Sequence, residues 1–247
     1  MAKKKVSSAE KAYRQSIKRR EHNRQLRSRL RTALKAIRAA IDGKDKYTRG
    51  HSERVARISV AIGHEMGLGE EELETLRISA LLHDVGKIAI DDSILKKPAA
   101  LTAEEFEIMK THPVKGYKIM SQIPAMKDFL PGMYMHHEMV NGQGYPQGLK
   151  DEQIPLQAKI VSVADTFDAM TIDRPYSKGM LLPEAIERIR TFIGTRYSEE
   201  VVEALVRGCE KGEIGKGVVK FMNENPEAVA KREQLLKTVE EVERRVA

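Results

Sequence analysis

The chain has 247 residues, a formal net charge of +7 and a pI near 9.3, with 41% hydrophobic and 32% charged residues. That length can bury a sizeable core, and the composition argues against a disordered or membrane-spanning chain. No run of 18 apolar residues offers a transmembrane helix, and no apolar stretch follows the basic start as a secretory signal requires.

A single cysteine, Cys209, excludes an intrachain disulfide and a Cys-cluster zinc site. A cytoplasmic location without membrane partners is the expectation. Aromatic residues are only 5% and tryptophan is absent, which counts against a strand-rich sandwich.

Residues 1–43 read as a basic arm. Before residue 41 its 14 Lys and Arg stand against Glu10 and Glu21 alone, so the arm carries about +12 and the other residues sum to about −5. Such asymmetry points to a polyanion partner. One long helix is predicted from Ser8 to Ile41, with an apolar stripe of Leu26, Leu30, Leu34, Ile37 and Ile41. The stripe also suits pairing with a second copy.

Residues 44–222 read as one helical domain. Helical patterns cover His51–Gly67, Glu70–His83, Ala103–Gln122, Ile154–Met170, Pro183–Thr191 and Ser198–Gly208. Strand patterns are nearly missing, so the predicted class is all-α. The loop from Glu138 to Pro155, with Gly142, Gly144, Gly148 and two prolines, lies between strongly patterned segments and reads as functional. Residues 223–247 predict a separate helix, capped by Asn225 and started by Pro226, with a stripe of Leu235, Val239, Val242 and Val246. It either packs back on the domain or joins the arm in a homodimer.

Histidine placement carries the chemistry. His51 heads a helix, His83 and Asp84 end an apolar one, His112 precedes Pro113, and His136 and His137 are adjacent. Asp165 sits in the apolar stretch VADTFDAM. Buried charges need compensation, and a metal supplies it. Imidazole with carboxylate suits iron, manganese, zinc or nickel. Taken singly, each residue also reads as a satisfied core group. Glu138 after the paired histidines reads equally as loop decoration, and His22 and His64 as ordinary histidines.

Seven words in the chain resemble one family in order and spacing. They are YTRGHSERV (47–55), HDVGK (83–87), ILKKP (94–98), THPVKGY (111–117), HHEMVNGQGYP (136–146), ADTFDAM (164–170) and DRPYS (173–177). Residues 45–207 resemble the HD-GYP family, a branch of the HD metal-dependent phosphohydrolases. The resemblance implies an HD-type helical bundle and an iron or manganese centre. It also implies hydrolysis of cyclic di-GMP to linear pGpG and then GMP.

Carried over by position, His51, His83, Asp84 and Asp165 would hold one metal. Asp84 would bridge to a second, held by His112, His136 and His137. Lys87 and Arg174 would contact phosphate, with Lys178 as a neighbouring cation, and Gly144, Tyr145 and Pro146 would border the substrate. Tyr47 stands where some members carry a glutamate for a third metal, so two metals are expected. Ser177 stands where the family often has Arg or Lys. Another nucleotide or an RNA end as substrate, and a non-catalytic RNA-associated role, remain as alternatives.

Residues 8–41 resemble the first helix of the ribosomal small-subunit protein twenty. That resemblance implies contact with RNA phosphates through Arg19, Arg20, Arg24, Arg27 and Arg31.

Overall fold

The computed structural model describes residues 50–173, 178–215 and 218–219; the arm, Arg174 to Ser177 and the C-terminal segment lie outside them. Nine α-helices follow one another among the described residues. They are α1 (His51–Glu65), α2 (Glu70–Leu82), α3 (Asp92–Leu95), α4 (Ala103–Met109), α5 (His112–Met120), α6 (Leu130–Tyr134), α7 (Leu156–Thr171), α8 (Leu182–Arg190) and α9 (Glu199–Glu210). Short 3-10 turns cover Val85–Ala89, Pro124–Phe129 and Asp151–Gln153. The strands β1 (Ile214–Gly215) and β2 (Val218–Val219) make one antiparallel pair, with Ile214 opposite Val219. The all-α class is as expected, and no described helix is long and apolar enough to cross a membrane.

Helix α1 is the centre of the bundle and packs on α2, α7 and α9. Its Val55, Ile58 and Ile62 meet Leu76 and Ala80 of α2, Ile160, Ala164 and Phe167 of α7, and Val201 and Leu205 of α9. A second, smaller core joins Ile78 and Leu82 of α2 to Val85, Met120, Met126 and Met133. Helix α2 therefore buries two faces, which is why its last turns are almost wholly apolar. His83 and Asp84 emerge at the junction of the two cores.

The helix expected over Ala103–Gln122 is in fact two. Helix α4 begins with a capping box, in which Glu105 N–H reaches Thr102 Oγ1 and Thr102 N–H reaches the Glu105 carboxylate. It ends at Met109 because Pro113 has no N–H to return to the Met109 carbonyl and suits only the first turn of a new helix. That carbonyl accepts instead from His112 Nδ1 at 2.9 Å.

Glycines set the crossing of α5 over the Val85–Ala89 turn. A Cβ on Gly86 would lie 1.8 Å from the His112 carbonyl oxygen, and one on Gly116 3.2 Å from Gly86 N. Backbone meets backbone there, and His112 is carried to Asp84.

Candidate metal centre

His83, His112 and His136 are oriented by one device. Each sits three residues past a carbonyl near a helix C-terminus, where carbonyls lack intrahelical partners. His83 Nδ1 donates to Ala80 O at 2.6 Å, His112 Nδ1 to Met109 O at 2.9 Å and His136 Nδ1 to Met133 O at 2.7 Å. A carbonyl only accepts, so Nδ1 carries the proton and Nε2 is left with a lone pair aimed inward. His51 has a carboxylate in that role, its Nδ1 lying 2.7 Å from Asp168 Oδ2. Asp168 is held in turn by Arg54, at 2.7 Å from Nε and 3.0 Å from Nη2.

The free ring nitrogens converge with the carboxylates on two groups, His51–His83–Asp84 and His112–His136–His137, the ligand atoms of each within 4.8 Å of one another. Asp84 joins them. Its Oδ2 lies 3.3 Å from His83 Nε2 and 4.0 Å from His51 Nε2, and its Oδ1 lies 3.3 Å from His112 Nε2. Asp165 Oδ1 lies 3.1 Å from His51 Nε2 and 3.9 Å from His83 Nε2. All seven candidate ligands thus meet in one place. Lys87 Nζ sits 2.6 Å from Asp84 Oδ2.

The donor set fits divalent cations on two observations. His83 Nε2 is buried and has no hydrogen-bond partner among the described residues. His112 Nε2 and His136 Nε2 face each other at 3.4 Å with both Nδ1 atoms engaged, so two lone pairs oppose across a gap that a cation would occupy.

Electrostatics agree at the second group. Burial, together with the neighbouring imidazoles, keeps His136 well below its ordinary value, and burial pulls His112 down to about 4 and His137 to about 3. These rings are neutral at pH 7, as metal ligation requires. Burial alone would raise the Asp84 and Asp165 carboxyls. Lys87 overcomes it at Asp84 and His51 at Asp165, so both are held low and charged.

The loop after the paired histidines wraps the second group. Glu138 is no surface decoration: it is buried, and its carboxylate accepts from Gln147 N–H at 2.7 Å and Leu149 N–H at 2.9 Å. Buried against two backbone donors, it folds the loop back on itself. Gly144 makes this close approach feasible, since a Cβ there would lie 2.3 Å from Met139 N. Tyr145 N–H donates to His137 O at 3.1 Å, and the tyrosine ring stacks on His137 with centroids 4.7 Å apart. The Tyr145–Pro146 peptide is cis.

Lys178 is exposed in the segment leading to α8. Arg174 and the arm arginines lie outside the described residues. Asp168 and Arg54 are functional neighbours that sequence reading missed. The available signal was the i,i+3 spacing of His51 with Arg54 and of Asp165 with Asp168, which puts each pair on one helix face.

A model of the HD domain family matches residues 35–201, and one of Ribosomal protein S20 matches residues 4–62. The chain is 43% identical over 176 residues to a cyclic di-GMP phosphodiesterase of Thermotoga maritima, covering 70% of this chain and 48% of that protein. It is 38% identical over 191 residues to the cyclic di-GMP phosphodiesterase response regulator RpfG of Xanthomonas campestris, covering 74% and 49%. A crystal structure of a cyclic GMP-AMP specific phosphodiesterase of Vibrio cholerae shares the fold, with a TM-score of 0.56 at 22% identity over 72% of this chain and 48% of that one. The chain spans about half the length of the curated relatives it matches.

Proposed function

The chain belongs to the HD domain family, in its HD-GYP branch, and from that premise we propose that it is a metal-dependent phosphodiesterase hydrolysing cyclic di-GMP. The product is linear pGpG, with GMP from a second cut. One observation carries this reading: the two oxygens of Asp84 face two separate groups of buried ligands. A phosphodiester repels nucleophiles because it is anionic and holds a poor leaving group. When bound, a pair of divalent cations neutralises that charge and acidifies a water for attack.

His51, His83, Asp84 and Asp165 would hold one cation, and Asp84, His112, His136 and His137 the other. Iron and manganese suit these ligands, as do zinc and nickel. Lys87 keeps an ammonium beside Asp84, where it offsets charge on a phosphate oxygen. Tyr145, fixed on His137 by Gly144 and Pro146, forms the rim that a nucleotide passes. Arg174 and Lys178 add cations for the remaining phosphate. Residues 1–43 would serve as an RNA-binding arm, on the strength of the 14 Lys and Arg that stand against two Glu before residue 41.

The test is purified full-length protein given cyclic di-GMP with manganese or reduced iron, with products separated by chromatography. Linear pGpG is expected from the native protein and none from Asp84→Ala. Native protein with its metals in place and no cleavage would overturn the reading.

A further inference from the structure

Beside the metal ligands lies a cavity of about 180 Å³. Its walls include His137, Asp165, Phe106, Tyr145, Tyr197 and Arg196. That volume is below the roughly 300–1,000 Å³ of a pocket enclosing a whole drug-sized ligand, so it admits one part of a dinucleotide.

Arg196 is built into this wall. Its loop is tied to the segment after His137, with Val140 N–H donating to Arg196 O at 3.3 Å and Asn141 N–H to Thr195 O at 3.1 Å. The guanidinium carbon sits 5.3 Å from the Phe192 ring centre and 5.5 Å from that of Tyr197, so two aromatic rings hold the cation in place. Arg196 Nε is buried, and among the described residues it has no hydrogen-bond partner. A buried N–H without a partner is costly unless a ligand takes it up.

We propose that Arg196 determines base specificity by donating to the O6 and N7 edge of a guanine seated in this cavity. The proposal rests on the cyclic dinucleotide reading. Aromatic walls suit the π-face of a base, whereas the phosphate belongs beside Asp84 and Lys87. Guanine presents two acceptors to an arginine fork. Adenine presents N7 but sets an amino donor in place of O6, so donor would meet donor. Glutamine offers one acceptor and one donor, the pattern that adenine matches.

The experiment compares full-length native protein with Arg196→Met and Arg196→Gln. Steady-state kcat/KM is measured for cyclic di-GMP and cyclic di-AMP, and calorimetry measures binding of GMP and AMP. We expect the native preference for guanine to shrink roughly 10- to 100-fold in Arg196→Met, in turnover and in binding alike. Arg196→Gln should move the preference toward adenine. Equal losses for both nucleotides in both variants, with the guanine-to-adenine ratio unchanged, would overturn the proposal. If native protein cleaves neither cyclic dinucleotide, the phosphodiesterase reading fails, and the GMP-to-AMP binding ratio still decides the role of Arg196.

Discussion

His83, His112 and His136 each use one ring nitrogen to satisfy a helix-end carbonyl and present the other to the centre. The proton on Nδ1 and the lone pair on Nε2 are thus fixed before any ligand arrives. At His51 the Nδ1 side is held by Asp168, itself clamped by Arg54, while Nε2 faces the Asp165 carboxylate at 3.1 Å. Asp168→Asn should lower metal affinity by roughly 10–100-fold, the usual cost of losing a partner that orients a ligand. Competition with a chelating indicator dye measures this, and unchanged affinity would contradict the role. Asp84 was readable at the end of an apolar run, whereas His112 and the histidine pair were legible through the words THPVKGY and HHEMVNGQGYP and the resemblance these carry. Asp168 was not, because its partners are 114 and 117 residues away and only folding shows that they meet.

The same histidines give acid sensitivity. In the unfolded chain each titrates near 6.5, whereas burial lowers His112 to about 4 and His137 to about 3, and lowers His136 as well. Their contribution is whole above pH 6.5 and is lost as the pH falls toward those lower values. His51 acts in the opposite sense. Burial opposes its charge, but bonds to Asp165 and Asp168 raise it to about 9, so its contribution is present below 6.5 and fades as pH rises toward 9. Asp84 and Asp165, held low, lose their contribution below about pH 4. Three lowered rings outweigh one raised ring. With chelator present, the urea midpoint should be lower at pH 5 than at pH 7.5, and a higher midpoint at pH 5 would contradict this balance.

At the scale of elements, the centre depends on where α5 crosses the Val85–Ala89 turn. The Gly86 Cα has no room for a methyl group, because the obstacle is the His112 backbone and cannot rotate away. Gly86→Ala should destabilise by roughly 1–3 kcal/mol or more as the crossing opens. It should also displace His112 and leave the second group short of metal. Thermal unfolding with metal analysis checks both, and a fully loaded variant with native stability would show that the crossing tolerates the change. Helix spans were read well where one face is buried, as in α1 and α9. The pattern failed at residues 110–111, where one helix was expected to continue toward Pro113 although the backbone bond does not. The short helix α6 and the 3-10 turns escaped notice because a span of three to six residues is too brief to show a period.

For the whole molecule, an acidic body carries a basic arm. RNA binding through Arg19, Arg20, Arg24, Arg27 and Arg31 makes a specific claim. Replacing all five with Gln in the full chain should abolish a gel shift on structured RNA, and the slope against log salt should fall by roughly one per arginine. A shift that survives would move RNA binding elsewhere or remove it. In the proposed reading Asp84 bridges two cations, which needs the start of α1, the end of α2, the start of α5, the α6 loop and α7 in register at once. Counting metal ions per chain by mass spectrometry, on one preparation whose turnover of cyclic di-GMP is measured in parallel, tests that bridge most directly. About two ions per active chain are expected, with ions and turnover lost together in Asp84→Asn. Full turnover from a chain that holds one ion or none, or an unchanged count and rate in Asp84→Asn, would contradict it.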